Sequence, residues 1–514
     1  MVGWTFDTQT LEGDVLVIGG GFAALHAALA AAENKVSVIV ASKGRLGYSG
    51  ASAVSMSVHR FGPGPYEALE KYAHFMLDSG YGLGQPEMIR TFVAEAPGIP
   101  EYLSRFKLEL EIKTVEIEAR TYPNFVASPS KRGMTIGRSI RPAVLEAPNV
   151  SVWENWAVAD LKPVGSGWLA WLEKDGQLKP VAAKAVVLAT GGALGLYAYH
   201  SGTPELLGEG LALAFELGCC LRDLEFVQFY PYRIYWPKIC DIFPDIFDHG
   251  AKFLNGDSIR FMNDYPKKEL ENRDVLAREI YRQAQTSLDL SEADHDFLQK
   301  ETKKLYNIYQ KFPDKRLLVR PVAHFTMGGI CVDGDGQTAR PGLLAAGEIV
   351  GGLHGANRLA GHALSETVVF GRRAGQAAAR WAAGVESVDL TNRPTPNLPS
   401  PGDDEPKALL KQLKNTMWAK AGLIRDEKGL QEGWAELEEL RRKFSHLRPR
   451  NLQSWLSLNR ALTVADLMVK AALLRRESRG AHFREDFPNT SEQYRGSFVF
   501  KGSKVCFEAV KGLN

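Results

Sequence analysis

Three consecutive glycines at the end of a short apolar run constrain this chain more than any other feature. Asp14-Val15-Leu16-Val17-Ile18 has the character of a parallel strand buried on both faces. Gly19-Gly20-Gly21-Phe22-Ala23-Ala24 follows at once, and the Ala/Leu-rich stretch after it predicts a helix to about Ala32. Asn34 and Lys35 turn the chain, and Val36 to Val40 read as a second strand, which completes one βαβ unit. The spacing Gly19-x-Gly21-x-x-Ala24 fits the pattern G-x-G-x-x-G/A. The first glycine allows the tight turn, the second lets backbone approach phosphates, and the small third residue lets helix and strand pack closely. The helix N-terminus adds free N–H groups and the positive end of its dipole. Glycine-rich turns also occur without a ligand. Here the turn follows a strand and opens a helix, so Gly19, Gly21, Phe22, Ala23 and Ala24 are candidate contacts of a dinucleotide.

Two later stretches have the same strand character. Ala185 to Ala189 runs into Thr190-Gly191-Gly192, and Gly342 to Ala346 ends at Gly347-Glu348. Similar strands far apart in sequence predict one doubly wound α/β sheet broken by insertions. Ligands of such sheets collect at the carboxyl ends of the strands, which makes Ala189, Thr190, Gly191 and Glu348 candidates. Between Tyr230 and Val322 the composition shifts to aromatics, Asp and Lys with no parallel-strand pattern, which reads as an inserted α+β domain. Arg393 to Pro401 is proline-rich and reads as an extended linker, and Pro406 to Ser478 has apolar residues at helical spacing. The expected division is a first domain over 1–230 and 323–385, an insertion over 231–322, a linker over 386–405 and a helical C-terminal domain over 406–514.

Composition excludes several classes. The 514 residues suffice for two or three domains, with 45% hydrophobic and 24% charged residues, as in ordinary soluble proteins. A net charge of +2 provides no drive toward nucleic acid. The five cysteines, Cys219, Cys220, Cys240, Cys331 and Cys506, form no C-x-x-C pair, so no metal or cluster site is expected and a reducing compartment fits. No signal peptide or membrane span is read from the sequence, and a cytoplasmic location is expected, at the inner membrane surface if a partner tethers the chain there.

Several blocks, in order along nearly the whole chain, resemble one flavoprotein family, that of the succinate dehydrogenase and fumarate reductase flavoprotein subunits and L-aspartate oxidase. They are Arg260-Phe261-Met262 with Arg273-Asp274-Val275, Pro321 to Ile330, His354 to Leu359 with Val368 to Gly375, Met417-Trp418 with Gly422 to Gly429, and Glu477 to Asp486. The second strand is followed by Ser42-Lys43 rather than the acid usual for NAD, and that pair is usual in this family, which binds FAD. The resemblance implies a Rossmann-like FAD-binding domain, a capping domain inserted into it and a helical C-terminal domain. It implies that Ser42, Lys43, Ala157 and Glu209 face the cofactor, that Glu348 bonds the ribityl chain, and that Ala363-Leu364 meets the pyrimidine edge of the flavin. In many quinone-linked members a histidine near Ser49 carries the flavin covalently. Here the stretch is Ser49-Gly50-Ala51-Ser52, with Gly50 at the histidine position, so non-covalent FAD is expected.

The chemistry implied is hydride transfer between flavin N5 and a carbon beside a carboxylate, with a proton moving at the neighbouring carbon. This needs a planar hydride carrier, cationic donors for the carboxylate and an acid/base on the opposite face. Arg273 matches the proton-transfer arginine of the family, and His324 and Arg358 match residues that hold a substrate carboxylate. Each has a plainer reading: Arg273 as a surface ion-pair partner beside Asp274, His324 as a core histidine, and Arg358 as a partner of Glu348 or Glu366. The family's Gln-Phe-His-Pro-Thr-Gly is replaced by Gln228-Phe229-Tyr230-Pro231-Tyr232-Arg233, and a Gly-Glu-Gly turn by Asp248-His249-Gly250. Either the pocket takes a different, larger or aromatic carboxylate, which the changes in size favour, or Tyr230 and His249 rebuild the proton relay. Two alternatives remain: amine oxidation like that of L-aspartate oxidase, and a subunit that relays electrons to an iron–sulfur partner.

Overall fold

The computed structural model describes residues 3–56, 58–62, 66–117, 120–127, 133–312, 316–391, 393–510 and 512. The strand Leu11–Ile18 sits at the middle of the largest sheet, as its unbroken apolar run requires. It pairs in parallel with Val38–Ser42 on one side and with the long strand Gln177–Leu188 on the other. Val150–Glu154 extends the sheet in parallel beyond Val38–Ser42, and Leu343–Ala345 joins Gln177–Leu188 near its carboxyl end. The far side turns antiparallel through Gly167–Lys174 and Ala157–Val164. The second strand therefore lies two residues later than the sequence pattern predicts, because Ser37 is used by Asp14 to close the turn.

The helix Phe22–Glu33 packs on this sheet and against the long helix His362–Ala383. Small residues make that approach possible. A Cβ at Gly375 would meet the Ala27 carbonyl oxygen at 2.2 Å, so only glycine fits where the two helices cross.

A separate antiparallel sheet is built from Val227–Trp236, Leu317–Thr326, Thr286–Asp289 and Lys252–Asn255, with the short strand Cys240–Asp241 at its edge. It has its own core, which includes Tyr232, Phe253, Leu276 and Leu317. Its two longest strands bring Tyr230, His324 and Phe325 to the same cavity as Ile18, Ala189 and Ala346 at the carboxyl ends of the parallel strands.

The C-terminal part contains the helices Lys407–Lys420, Glu427–Phe444 and Leu452–Leu474. Asp426 caps the second by accepting from the Gly429 N–H, and Asn451 caps the third by accepting from the Ser454 N–H. The chain does not stay helical. Gly496–Lys501 and Lys504–Ala509 form a hairpin that pairs with Leu221–Arg222, its tight turn using Gly502 at φ +56°. The proline-rich segment is extended and pinned, with Trp171 and Trp4 donating indole N–H groups to the carbonyls of Pro394 and Pro399.

Candidate active site

The carboxyl ends of the parallel strands, the separate antiparallel sheet and the third C-terminal helix enclose a cavity of 680 Å³. One end is built by the glycine turn. Gly19 holds φ +146°, and a Cβ there would lie 2.2 Å from the Ala189 carbonyl oxygen, so the two loops touch through backbone. The N-cap residue Gly21 has no side chain to cap the helix Phe22–Glu33; the Phe22 N–H makes a long contact of 3.5 Å to Ser52 Oγ, and this end of the helix lines the cavity. Ser42 and Thr190 line the same end with hydroxyl oxygens that are buried and have no protein partner. A helix N-terminus without a side-chain cap at Gly21 and the orphan hydroxyls of Ser42 and Thr190 are what a dinucleotide would satisfy, and the residues present fit FAD on that ground.

Ser49, Gly50, Ala51, Ser52, Ala157, Gly191, Glu209, Glu348, Ala363 and Leu364 also line the cavity, together with Gly19, Gly21, Phe22 and Ala23. Ala24 does not; it is buried between helix and sheet, the packing role its small size implies. Lys43 and Glu209 both face the cavity but are joined to each other, Lys43 Nζ donating to Glu209 Oε1 at 2.8 Å and to Ser457 at 3.1 Å. The helix His362–Ala383 likewise starts without a side-chain cap, so the backbone N–H groups around Ala363 and Leu364 are available. His59 is fully buried outside the cavity wall, and among the described lining residues the only histidine is His324, with no cysteine.

The other end brings Tyr230, Arg273, His324 and Arg358 together. Gln228 pairs with Phe325 and Phe229 with Ala323, so His324 is the extra residue of a β-bulge, and the bulge aims its ring into the cavity. Its Nδ1 lies 2.7 Å from Ser201 Oγ, and its ring stacks on Tyr230 at 4.9 Å. Arg273 opens the helix Arg273–Arg282 and places its guanidinium 5.4 Å from the centre of the same tyrosine ring. Asp274 does not pair with it; Asp274 accepts from Arg278 at 3.1 Å instead. Arg358 donates to Gln228 Oε1 at 2.8 Å and to the Leu359 carbonyl at 2.9 Å, with its guanidinium 4.7 Å from the Phe325 ring. Among the described residues no carboxylate forms an ion pair with Arg358 or Arg273.

The electrostatics follow from burial. Glu348, which accepts from the Thr326 N–H, is pushed up to about 7 by burial, and Glu366, bonded to His354, to about 8. Two neighbouring acids are thus held near neutrality. Burial and the nearby Arg273 push Arg358 down to about 9, and burial with Arg358, Arg273 and Arg233 holds His324 well below the usual histidine range. Of the other acids in the cavity lining, Asp241 is paired with Arg233, while Arg273 and Arg358 have no ion pair among the described residues and can receive an anion.

Three expectations change. His249 is not in the cavity wall; it stacks on Phe297 at 3.6 Å and faces Asp294. It cannot carry a relay from there. The Tyr230 hydroxyl donates to the Ile242 carbonyl at 2.5 Å, so Tyr230 presents its ring, not an acid, to the cavity. The irregularity at Pro231, which has no N–H for the ladder, lets Tyr232 stay beside Tyr230 and sink into the insertion's core, while Arg233 is held by both oxygens of Asp241. Two of the three size changes thus lie outside the lining.

Sequence reading passes over other lining residues. Arg460 is a lone buried charge in the apolar helix Leu452–Leu474, a signal in itself, and it donates to the carbonyls of Val158 and Ala159 at 2.6 Å. Ser201, Asp241, Phe243 and Trp156 give no such signal, because only the fold brings them to the cavity.

Comparison with known proteins places this geometry in context. Residues 14–364 match the model of the FAD binding domain, and residues 410–496 that of the fumarate reductase flavoprotein C-terminus. The chain is 31% identical to an uncharacterized FAD-dependent oxidoreductase of Methanocaldococcus jannaschii, covering 97% of this chain and 98% of that one. It is 33% identical to L-aspartate oxidase of Caulobacter vibrioides over 95% and 96% of the two chains. Its fold is similar to that of the E. coli quinol fumarate reductase FrdA, with a TM-score of 0.87, 24% identity and coverage of 98% and 97%.

Proposed function

From the premise that the chain belongs to the family of fumarate reductase and succinate dehydrogenase flavoprotein subunits and L-aspartate oxidases, and is an FAD-dependent oxidoreductase, we propose that it oxidises or reduces a carbon beside a carboxylate. FAD supplies the hydride-carrying centre when bound, held without a covalent bond, because glycine stands at residue 50. The observation that carries the reading is the pair of guanidiniums, Arg273 and Arg358, that face one cavity end, neither of them in an ion pair with a carboxylate among the described residues. A substrate carboxylate completes that charge balance, gripped by the planar fork of Arg358 and by the His324 imidazole. Gln228 and Phe325 hold the fork from behind. Arg273 is left to deliver the proton, since its stacking on Tyr230 fixes the guanidinium without consuming its donors. Ser42, Lys43, Ala157 and Glu209 hold the nucleotide half of the cofactor, and Glu348, Ala363 and Leu364 its flavin half.

The far end of the substrate meets Tyr230 and Phe243 instead of a second cationic grip. A carboxylate other than the usual four-carbon diacids therefore suits the site, and Tyr230 and Phe243 are among the groups that set the size of its remaining part. An iron–sulfur protein is the partner that would exchange electrons with the flavin; among the described residues no group of side chains could hold a metal ion. No described helix is long and apolar enough to cross a membrane, so attachment to one would run through that partner.

The test is spectroscopic. The purified yellow protein is mixed anaerobically with saturated acids, and after reduction with enoates. Bleaching or reoxidation of the flavin by one class is the expected outcome. A protein that takes up no flavin, or a flavin that responds to no acid, overturns the reading.

A further inference from the structure

We propose that Ser201 is a positioning residue that fixes the tautomer of His324 and so makes it a donor to the substrate carboxylate, an inference that rests on the functional reading above. The segment Tyr199 to Ser201 is zipped to the strand bearing His324. The Ala323 N–H donates to the Tyr199 carbonyl at 2.9 Å, and the Ser201 N–H to the Ala323 carbonyl at 2.8 Å. This places Ser201 Oγ 2.7 Å from His324 Nδ1, with Ser201 itself in the cavity wall. Arg233 holds the same segment from the other side, donating to the His200 carbonyl at 2.9 Å while Asp241 grips its remaining donors. The arginine that departs from the family motif thus has a place: it supports the loop that carries Ser201.

Two arrangements of protons satisfy this geometry. In one, the Ser201 hydroxyl donates to Nδ1, and Nε2 carries the proton. In the other, Nδ1–H donates to Ser201, whose hydroxyl turns to the Ala323 carbonyl at 3.3 Å, and Nε2 is a bare acceptor. Both keep the 2.7 Å contact, and the second adds only the longer one to the Ala323 carbonyl, which already accepts from the Ser201 N–H. The imidazole stays neutral among Arg358, Arg273 and Arg233, so it has one proton to place. A bare nitrogen lone pair facing a carboxylate repels it, whereas Nε2–H bonds it. An anionic substrate therefore requires the first arrangement, and Ser201 is what holds Nδ1 in the acceptor role.

The FAD-loaded protein is titrated with crotonate, cinnamate, 3-phenylpropanoate, fumarate and succinate, and the dissociation constant is read from the flavin spectrum. For whichever acid binds, Ser201→Ala weakens binding about tenfold, which is about 1.4 kcal/mol. Ser201→Thr, which keeps the hydroxyl, stays near the unaltered protein. In a His324→Ala background Ser201→Ala has no further effect, because its action runs through that ring. Unchanged affinity in Ser201→Ala, or an equal loss in the His324→Ala background, overturns the proposal while leaving the carboxylate site standing. If the unaltered protein binds none of the acids, the functional reading falls and this inference with it. Should Ser201→Ala fail to hold FAD, nitrogen-labelled histidine in the unaltered, acid-bound protein decides the matter. A proton on Nε2 of His324 supports the proposal, and one on Nδ1 overturns it.

Discussion

Arg273 shows how much a single side chain depends on what it does not touch. It begins a helix, where a cation is disfavoured by the dipole, and the acid beside it is already paired with Arg278. Its one printed contact is with the Tyr230 ring, and no carboxylate among the described residues pairs with it, so a cation placed here points to a ligand. Arg273→Lys should leave folding stability within about 0.5 kcal/mol, because no partner is orphaned. Turnover should fall by more than about tenfold, over ~1.4 kcal/mol of barrier, because an ammonium cannot match the planar fork held over Tyr230. Steady-state rates and a denaturant titration on the same preparation check both halves. Activity within tenfold of the unaltered enzyme means Arg273 is not the proton donor. Arg358 was visible as a candidate, but its two suggested acid partners were not its partners: Gln228 holds it, and burial keeps Glu348 and Glu366 close to neutral.

At the scale of elements, the glycine turn is the part of the site most fully written in local sequence. Each residue has a steric reason that neighbours within a few positions supply. Gly19→Ala puts a Cβ into the Ala189 carbonyl in a backbone conformation that alanine avoids, so a cost of about 1–3 kcal/mol is expected. Flavin occupancy, measured as the absorbance ratio of the purified protein, should drop with it; full occupancy at unchanged stability would contradict this account of the turn. The bulge that aims His324 is the opposite case. No residue in Pro321 to Ile330 announces it, because a bulge is a property of two strands and their register. The terminal hairpin was missed for a related reason: its alternation is short, and it is a strand pair only because Leu221–Arg222 offers an edge.

At the scale of the whole molecule, the block Glu477 to Asp486, which carried family resemblance, lies away from the cavity. Arg475 beside it is completely buried. It donates to Glu225 at 2.5 Å, to Glu477 at 2.8 Å and to the carbonyls of Tyr494 and Gly496. Arg479 donates to Glu477 in turn, and Arg425 reaches the Glu225 carbonyl. This network joins the chain just before the strand Val227–Trp236 to the C-terminal part. Arg475→Ala leaves two buried carboxylates short of a partner and should cost about 3–5 kcal/mol. Urea unfolding of the FAD-loaded protein measures it, with release of flavin fluorescence tracking the unfolding. A loss below about 1 kcal/mol would mean that this is an ordinary surface-like pair.

The sequence alone determined the dinucleotide turn, the α/β class and the FAD-dependent family, because these rest on local sterics and on blocks that keep their order along the chain. Arg273, His324 and Arg358 could be named from those blocks. Only the tertiary structure decided that they meet at one cavity end with no ion pair to Arg273 or Arg358 among the described residues, that His249 lies outside the cavity wall, that Lys43 is paired with Glu209, and that Ser201 touches His324. Each of these is a distance between segments far apart in the chain, or a matter of which side of a bulged strand a residue faces. Residue type and spacing do not encode such facts until the sheets have closed around the cavity.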